Sequence, residues 1–134
     1  MHTKPIPRSI CGSYYHLEDF QQYLVEIHEN CLSKNCWQAV EYFLELGNIM
    51  VVGVDTDKGF DHNSQYFEKV LKKEVSPYNI LLFMGLTDSK YHFGVYLGDN
   101  YFIHQYNGTV NITKLNRLWR ICWYATYKYP KQAS

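Results

Sequence analysis

Two strand-forming runs joined by a Gly-Asp-Asn turn constrain the fold of this chain more than any other stretch. Together they extend over residues 91–107, and each run carries one histidine, His92 in the first and His104 in the second. Side chains alternate between the two faces of a strand, so a shift of one residue in the pairing moves every side chain to the other face. The length of the turn therefore decides whether the two histidines can meet.

Two turn lengths are compatible with this sequence. A loop of two residues places the histidines on opposite faces of the hairpin. A loop of three residues, 98–100, pairs Gly94 with His104 and makes His92 and His104 diagonal neighbours on one face, within contact distance. Gly98 and Asn100 can both adopt the positive φ that a three-residue loop needs, so we expect this second register.

The three-residue register has further consequences for the hairpin. It pairs Leu97 with Tyr101, and it leaves a gap beside Gly94, opposite His104. A glycine inside a strand often marks a place where another group approaches closely. Taken alone, the hairpin is equally compatible with two partly buried histidines in an aromatic core, so other parts of the chain must decide between core and site.

Length and charge indicate one domain without a polyanionic partner. We expect residues 1–134 to form a single domain, with an N-terminal arm at 1–16 and a frayed tail at 130–134. Thirteen basic and thirteen acidic residues cancel, which argues against binding to nucleic acid. No apolar stretch is long enough for insertion into a membrane and no secretory signal is visible, so we expect a soluble chain made in a cytoplasm.

The chain has four cysteines, Cys11, Cys31, Cys36 and Cys122, whose spacing matches no disulfide framework. We expect reduced thiols, which are the default in a cytosolic chain. His28 stands near Cys31 and Cys36, but the second close pair of ligands that a zinc site needs is missing. No metal site is therefore expected.

Cys36 has the local setting of a nucleophile. Asn35 is a favourable N-cap and Gly47 with Asn48 supplies a stop, which predicts a helix that begins at Cys36. Free N–H groups and the positive end of the helix dipole favour a thiolate, so we expect a lowered pKa for Cys36. The same N–H groups can bind a developing oxyanion. The alternative is a small core residue, since free cysteine is among the most buried types.

The remaining predicted elements place helices before strands. Apolar residues at three- and four-residue steps predict a first helix over 17–31, and a continuous apolar run predicts a central strand over 80–84, buried on both faces. Helices followed by an antiparallel β-meander predict an α+β fold. The other predicted elements are a short strand at the start of 49–63, a short helix or turn over 66–73, a strand at 110–112, a polar link over 113–117 and a last strand over 119–127.

These residues resemble the NlpC-type cysteine peptidases of bacterial cell walls, which have a papain-like core with N-terminal helices packed on an antiparallel sheet. The resemblance extends from Asn35 to the last predicted strand. Its strongest part is the run 92–104, which looks like the family pattern His-hydrophobic-Gly-hydrophobic-Tyr-hydrophobic-Gly ending in Phe-Ile-His. Upstream, residues 75–83 look like the family's Pro-Gly-Asp-Leu-hydrophobic-Phe strand, with Tyr78 and Asn79 in place of Gly-Asp.

The resemblance implies roles for individual residues. Cys36 is the implied nucleophile, His92 the base and His104 the third residue, which orients His92. Tyr23 and Trp37 are further candidates for contacts to substrate or oxyanion. The implied substrate is a peptidoglycan stem peptide, cleaved most often between D-glutamate and a diamino acid, and no metal or organic cofactor is implied.

The residues around the nucleophile depart from the cell-wall pattern. Many members have Asp-Cys-Ser-Gly where this chain has Asn-Cys-Trp-Gln at residues 35–38. The Cys-Trp start looks more like the branch found in phage tail-tip and tail-assembly proteins. That branch implies other tail proteins as partners and a location in the virion, or in the host cytoplasm before assembly. Two alternatives stay open: a tail-tip structural protein that keeps the fold with little or no activity, and a related acyl-transfer enzyme.

Overall fold

The computed structural model describes residues 18–85 and 91–131. The predicted arm at 1–16 and the last three residues of the predicted tail lie outside these ranges. Within them, the α-helices are α1 (Glu18–Asn30), α2 (Cys36–Leu46), α3 (Phe60–Asn63) and α4 (Arg117–Cys122). The strands are β1 (Glu68–Val70), β2 (Ile80–Phe83), β3 (His92–Gly98), β4 (Tyr101–Tyr106), β5 (Thr109–Lys114) and β6 (Trp123–Lys128).

The strands form one antiparallel sheet of six strands in the order β1-β6-β2-β3-β4-β5. Strands β2 to β5 follow one another as the predicted meander, and β6 returns to pair with β2. In the described part of the chain, no helix has both the length and the apolarity to span a membrane. Helices combined with this antiparallel sheet confirm the predicted α+β fold.

The sheet is covered on both faces, and β2 supplies side chains to both. Ile80 and Leu82 belong to the main core, which lies beneath α1 and α2. Leu81 and Phe83 belong to a smaller core, which α4 closes with Trp119. The side chains of a strand alternate between its faces, so these two sets lie on opposite faces of β2. Both sets are buried, which confirms the prediction of a central strand buried on both faces.

Both predicted N-terminal helices are confirmed. Helix α1 lies within one residue of its predicted bounds at each end. Ile27 and Cys31 are four residues apart, and both are buried in the main core, as an amphipathic helix requires. Helix α2 begins at Cys36 and ends directly before Gly47, the predicted stop.

The strand predicted at the start of 49–63 is wrong. Residues 49–54 are assigned to no strand of the sheet. Ile49 and Val51 instead pack against the main core, and the Val52 N–H donates to the Tyr129 hydroxyl, 2.8 Å away. The strand beside β6 is β1, which lies in the segment predicted as a helix or turn. The apolar residues of the segment 49–54 therefore reflect contact with the core and not backbone pairing.

The predicted polar link and the start of the predicted last strand are also wrong. Thr113 and Lys114 continue β5, and residues 117–122 form α4, so β6 begins only after that helix. The Asn116 side chain accepts a hydrogen bond from the Trp119 N–H at 3.2 Å and caps α4. The apolar pattern of a short segment is compatible with a helix or with a strand, and here the cap by Asn116 favours the helix.

Tyr78 occupies the position where the family pattern has glycine. It lies at a φ of 69°, in a turn where the Asn79 N–H donates to the Ser76 carbonyl oxygen at 3.0 Å. A residue with a Cβ atom pays about 1–2 kcal/mol in this region of φ. The Tyr78 ring is only 2% exposed and lies against Gly47. Burial of an aromatic ring contributes about 1.5–3 kcal/mol, which offsets the strain.

Gly47→Ala should destabilise the fold through this contact. A Cβ atom at Gly47 would lie 2.3 Å from Cε1 of Tyr78, and the buried ring has little room to move. We expect urea unfolding to show a loss of about 1–3 kcal/mol. Gly59→Ala is the matched control, because a Cβ there meets no atom within 4 Å. Equal losses in the two variants would contradict the contact.

Candidate active site

The hairpin of β3 and β4 brings the two histidines to one face. Tyr96 pairs with Phe102, which is the register predicted from a three-residue loop. His92 and His104 are accordingly diagonal neighbours, and His92 Nε2 lies 2.8 Å from His104 Nδ1. The predicted contact between the two rings is confirmed.

The turn itself differs from the prediction. Gly98, and not Leu97, pairs with Tyr101, and the pairing shifts at a bulge next to this pair. Asp99 and Asn100 form the turn, with φ values of 53° and 65°. A two-residue turn with both φ values positive matches the twist of the strands. The bulge accommodates the extra residue, so the strands beyond it keep the register expected for a three-residue loop.

A chain of hydrogen bonds runs from His92 through His104 to β5. His104 Nε2 lies 2.8 Å from Thr113 Oγ1, so both ring nitrogens of His104 have partners. His92 uses Nε2 for His104, so Nδ1 is the ring nitrogen of His92 that this hydrogen bond leaves available. His104 is therefore placed to orient His92, as the third member of a catalytic triad does.

Aromatic rings enclose the histidine pair. The centre of the Trp119 ring lies 5.8 Å from that of His92 and 5.0 Å from that of His104. The ring centre of Phe102 lies 4.6 Å from that of His104, and the ring centre of Tyr106 lies 5.0 Å from that of His92. Burial lowers the pKa of His92 to about 4, and burial together with His92 lowers the pKa of His104 to about 3. Both rings are therefore neutral at neutral pH.

A capping box fixes Cys36 at the first position of α2. Asn35 Oδ1 accepts from the Gln38 N–H at 2.8 Å, and Gln38 Oε1 accepts from the Asn35 N–H at 3.0 Å. Backbone hydrogen bonds from Phe93, Trp37 and Cys36 itself act on the thiol and favour its ionised form. Two of these three donors lie at the start of α2, where free N–H groups can also bind a developing oxyanion.

The predicted lowering of the Cys36 pKa is wrong. Burial raises the pKa of this thiol above its ordinary value. The backbone N–H of Phe93 and those at the helix start oppose that shift without cancelling it. A helix start favours a thiolate, but enclosure against β3 removes the water that a thiolate needs, and the second effect is larger.

Cys36 and His92 line the same open cleft, which has a volume of about 170 Å³. The cleft lies where the start of α2 meets the beginning of β3 and the end of β4. Its other lining residues are Asn35, Tyr91, Gln105, Tyr106 and Asn107. The structure thus brings the predicted nucleophile and the predicted base together, with His104 behind His92.

The side chains of Tyr23 and Trp37 do not line this cleft. Tyr23 lies on α1, where its ring packs half-buried against the main core. Trp37 is 5% exposed and contacts the rings of Phe60, Phe67 and Phe93. Only the backbone N–H of Trp37 faces the thiol. A role of either side chain in binding substrate stays a prediction.

Gln105 ties the strand that carries His104 to the segment before Cys36. Its Nε2 atom donates to the Lys34 carbonyl oxygen, 2.5 Å away. Because side chains alternate along β4, Gln105 points toward α2 while His104 points toward α4. Gln105 was not predicted, although its place next to His104 could have identified it.

Thr113 was predicted as part of a polar link, but in β5 it reaches His104. His104 pairs with Asn111, so Thr113 is its diagonal neighbour on the adjacent strand. Asn107 and Gly108 form the connecting turn, with φ values of 53° and 76°. An Asn-Gly pair is the strongest short signal for a hairpin and could have predicted this register.

His28 and Cys31, whose spacing in the sequence is the nearest to a zinc motif, have contacts with the protein itself. His28 Nδ1 accepts a hydrogen bond from the Val110 N–H at 3.3 Å. Cys31 is buried in the main core, and burial raises its pKa to about 11. Within residues 18–85 and 91–131, no group of three or more His, Cys, Asp or Glu side chains is arranged to hold a metal ion.

Gly94→Ala should disturb the histidine pair. A Cβ atom at Gly94 would lie 2.8 Å from Phe102 Cδ2 and 3.4 Å from His104 Cβ. Since Phe102 packs on the His104 ring, we expect urea unfolding to show a loss of about 1–3 kcal/mol. The same substitution in a Phe102→Leu background is the control, because a smaller side chain makes room for the new methyl group. An equal loss in both backgrounds would contradict direct contact with Phe102.

No family model matches this sequence, and no curated protein matches it. The fold is similar to a crystal structure from Staphylococcus aureus that is described as similar to lipoprotein, NLP/P60 family, with a TM-score of 0.57. The sequences are 12% identical over 98% of this chain and 46% of the other, so this chain spans less than half of that protein's length. At this identity the likeness shows the fold alone. The chain therefore has a papain-like α+β fold, as that NLP/P60 protein does.

Proposed function

We propose that this chain is a cysteine peptidase that hydrolyses amide bonds in peptidoglycan stem peptides. One observation carries the proposal: Cys36 and His92 line one cleft, and His104 engages the second nitrogen of His92. The sequence resemblance and the shared fold with an NLP/P60 protein support the substrate class. The bond between D-glutamate and a diamino acid is the proposed cleavage point.

The residues of the cleft are suited to acyl transfer through a thioester. The Cys36 sulfur attacks the amide carbon while its proton passes to His92 Nδ1. The N–H groups of Cys36 and Trp37 hold the negative oxygen of the tetrahedral intermediate. His92 then gives the proton to the leaving amine. Water, activated by His92, hydrolyses the thioester and restores the thiol.

Proton transfer and attack are coupled in this site. The pKa of His92 is lowered to about 4 and that of Cys36 is raised, so both groups are neutral before substrate binds. A standing pair of thiolate and imidazolium would place two charges in a poorly solvated site. His104 stabilises the imidazolium during the reaction. Reactivity of Cys36 therefore depends on His92 as a base at the moment of attack.

A larger polar cleft of about 550 Å³ borders the start of α2 and offers room for more of a peptide. Lys34 and Gln38 line it on either side of Cys36 in sequence, together with Glu41 and Glu45. Burial and the nearby Glu45 raise the pKa of Glu41, and the Lys34 ammonium group opposes this shift, so a further cation near the two carboxylates would be stabilised. A stem peptide that carries the ammonium group of a diamino acid and a carboxylate suits this lining.

Digestion of purified peptidoglycan tests the proposal. We expect the chain to release fragments cut within the stem peptide, identified by chromatography with mass spectrometry. Fragments cut only in the glycan strand, or no release at neutral pH, would contradict it.

A second candidate is a structural part of a phage tail tip that keeps the fold without activity. Two observations favour it: burial raises the pKa of Cys36, and Leu118 and Ile121 on α4 are exposed apolar side chains. The proposed partners are other tail proteins, and the proposed location is the virion. Stable assembly with tail proteins combined with absence of stem-peptide cleavage would favour this candidate.

A further inference from the structure

Thr113 ends the hydrogen-bond chain that starts at His92. His104 is only 2% exposed, and its two nitrogens contact His92 and Thr113, each at 2.8 Å. Thr113 does not line the cleft that contains Cys36. Its contact with the site is the hydrogen bond to His104, through which it can affect the chemistry of Cys36.

Protons can occupy this chain in two ways. Each neutral histidine carries one N–H, on either nitrogen. In the first arrangement, His92 Nε2–H donates to His104 Nδ1, and His104 Nε2–H donates to Thr113 Oγ1. In the second, Thr113 Oγ1–H donates to His104 Nε2, and His104 Nδ1–H donates to His92 Nε2. Only the first arrangement leaves His92 Nδ1 without a proton.

A base at His92 requires the first arrangement. His92 can take the Cys36 proton only through an unprotonated Nδ1, since Nε2 is engaged by His104. A hydroxyl can accept or donate, so Thr113 satisfies His104 in both arrangements. Without that hydroxyl, the first arrangement leaves a buried N–H without an acceptor, while the second leaves only an unused acceptor. A buried N–H group without an acceptor is rarer in proteins than a buried acceptor without a donor. The second arrangement would therefore prevail in the absence of the hydroxyl.

We propose that Thr113 is a positioning residue whose hydroxyl accepts the His104 Nε2–H and thereby supports the arrangement in which His92 Nδ1 is free to act as the base. The inference rests on the proposed peptidase function and deepens it. A β-branched side chain has few rotamers in a strand, which holds Oγ1 in place. Trp119 and Tyr106 pack on the His104 ring, at 5.0 and 5.7 Å between ring centres, and limit access of water that could replace the hydroxyl.

Thr113→Val and Thr113→Ser separate the hydroxyl from the shape of the side chain. Valine keeps the branched shape and removes the hydroxyl, whereas serine keeps the hydroxyl. We expect kcat for stem-peptide cleavage to fall roughly tenfold or more in Thr113→Val, since a buried donor loses its partner. KM should not change, because Thr113 lies outside the cleft. Thr113→Ser should retain most of kcat, and an equal loss in both variants would overturn the proposal.

Nitrogen-15 NMR of the histidine rings reads the proton positions without any substrate. In the parent chain and in Thr113→Ser, Nδ1 of His92 and of His104 should be unprotonated. In Thr113→Val, Nδ1 should be protonated in both rings. Identical ring signals in Thr113→Val and the parent chain would overturn the proposal. Because this readout is independent of cleavage, it decides the role of Thr113 even if the chain cleaves no stem peptide.

Discussion

Cys36→Ala should abolish stem-peptide cleavage while the chain stays folded. The sulfur forms the thioester, and no other group in the cleft can replace it, so we expect a loss of at least about a thousandfold. Cys36 is only partly buried at a helix start whose cap is made by Asn35 and Gln38. The midpoint of urea unfolding should therefore change little. Fragment release, followed by mass spectrometry, measures the activity.

Cys122→Ala is the matched control for this prediction. Cys122 is also a partly buried free cysteine, but it lies at the end of α4 and packs against the smaller core on the opposite face of the sheet. Its removal should leave cleavage unchanged. Cleavage that survives in Cys36→Ala, or that is lost only in Cys122→Ala, would contradict the assignment of the nucleophile.

The chain should lose stability in mild acid because of the two buried histidines. Their folded pKa values, about 4 for His92 and about 3 for His104, lie below the ordinary value of 6.5. Between these values the unfolded chain binds more protons than the folded chain, so the free energy of unfolding falls as pH falls. The part of the free energy of unfolding that depends on neutral histidines is complete above pH 6.5. It is lost progressively toward pH 4 and below. At 1.36 kcal/mol per pKa unit, His92 alone accounts for roughly 3 kcal/mol.

Urea unfolding between pH 7 and pH 5 measures the first part of this loss, in a range above the ordinary pKa values of carboxylates. The double variant His92→Gln/His104→Gln should show a flatter dependence on pH. His62→Gln is the control, because His62 is exposed on α3, and it should keep the slope of the parent chain. Equal unfolding free energies at pH 7 and pH 5 in the parent chain would contradict burial of the histidine pair.

Short-range signals predicted the parts of the site that short-range interactions determine. Asn35 predicted the start of α2 because a cap bonds to N–H groups within its own first turn. The contact of His92 with His104 followed from alternation and from the number of residues in the turn. The turn was only partly predictable, because two-residue and three-residue closures differ by one bulge at Leu97.

Long-range packing determines what local patterns could not show. The pKa of Cys36 depends on its enclosure against β3, and no residue near Cys36 in sequence reports that enclosure. The sequence predicts a strand at Trp119 because a short apolar segment has no decisive period, yet this residue belongs to a helix that shields the histidines. The contact of Thr113 with His104 depends on the pairing of β5 with β4.

The rate at which iodoacetamide alkylates Cys36 tests most directly the central claim that His92 activates Cys36. Because burial raises the pKa of this thiol, we expect its reactivity at pH 7 to depend on proton transfer to His92. Peptide mapping by mass spectrometry separates Cys36 from Cys122, which serves as the internal reference. We predict that Cys36 reacts faster than Cys122 in the parent chain, and that His92→Gln removes the difference. Equal rates at Cys36 in the parent chain and in His92→Gln would contradict the claim.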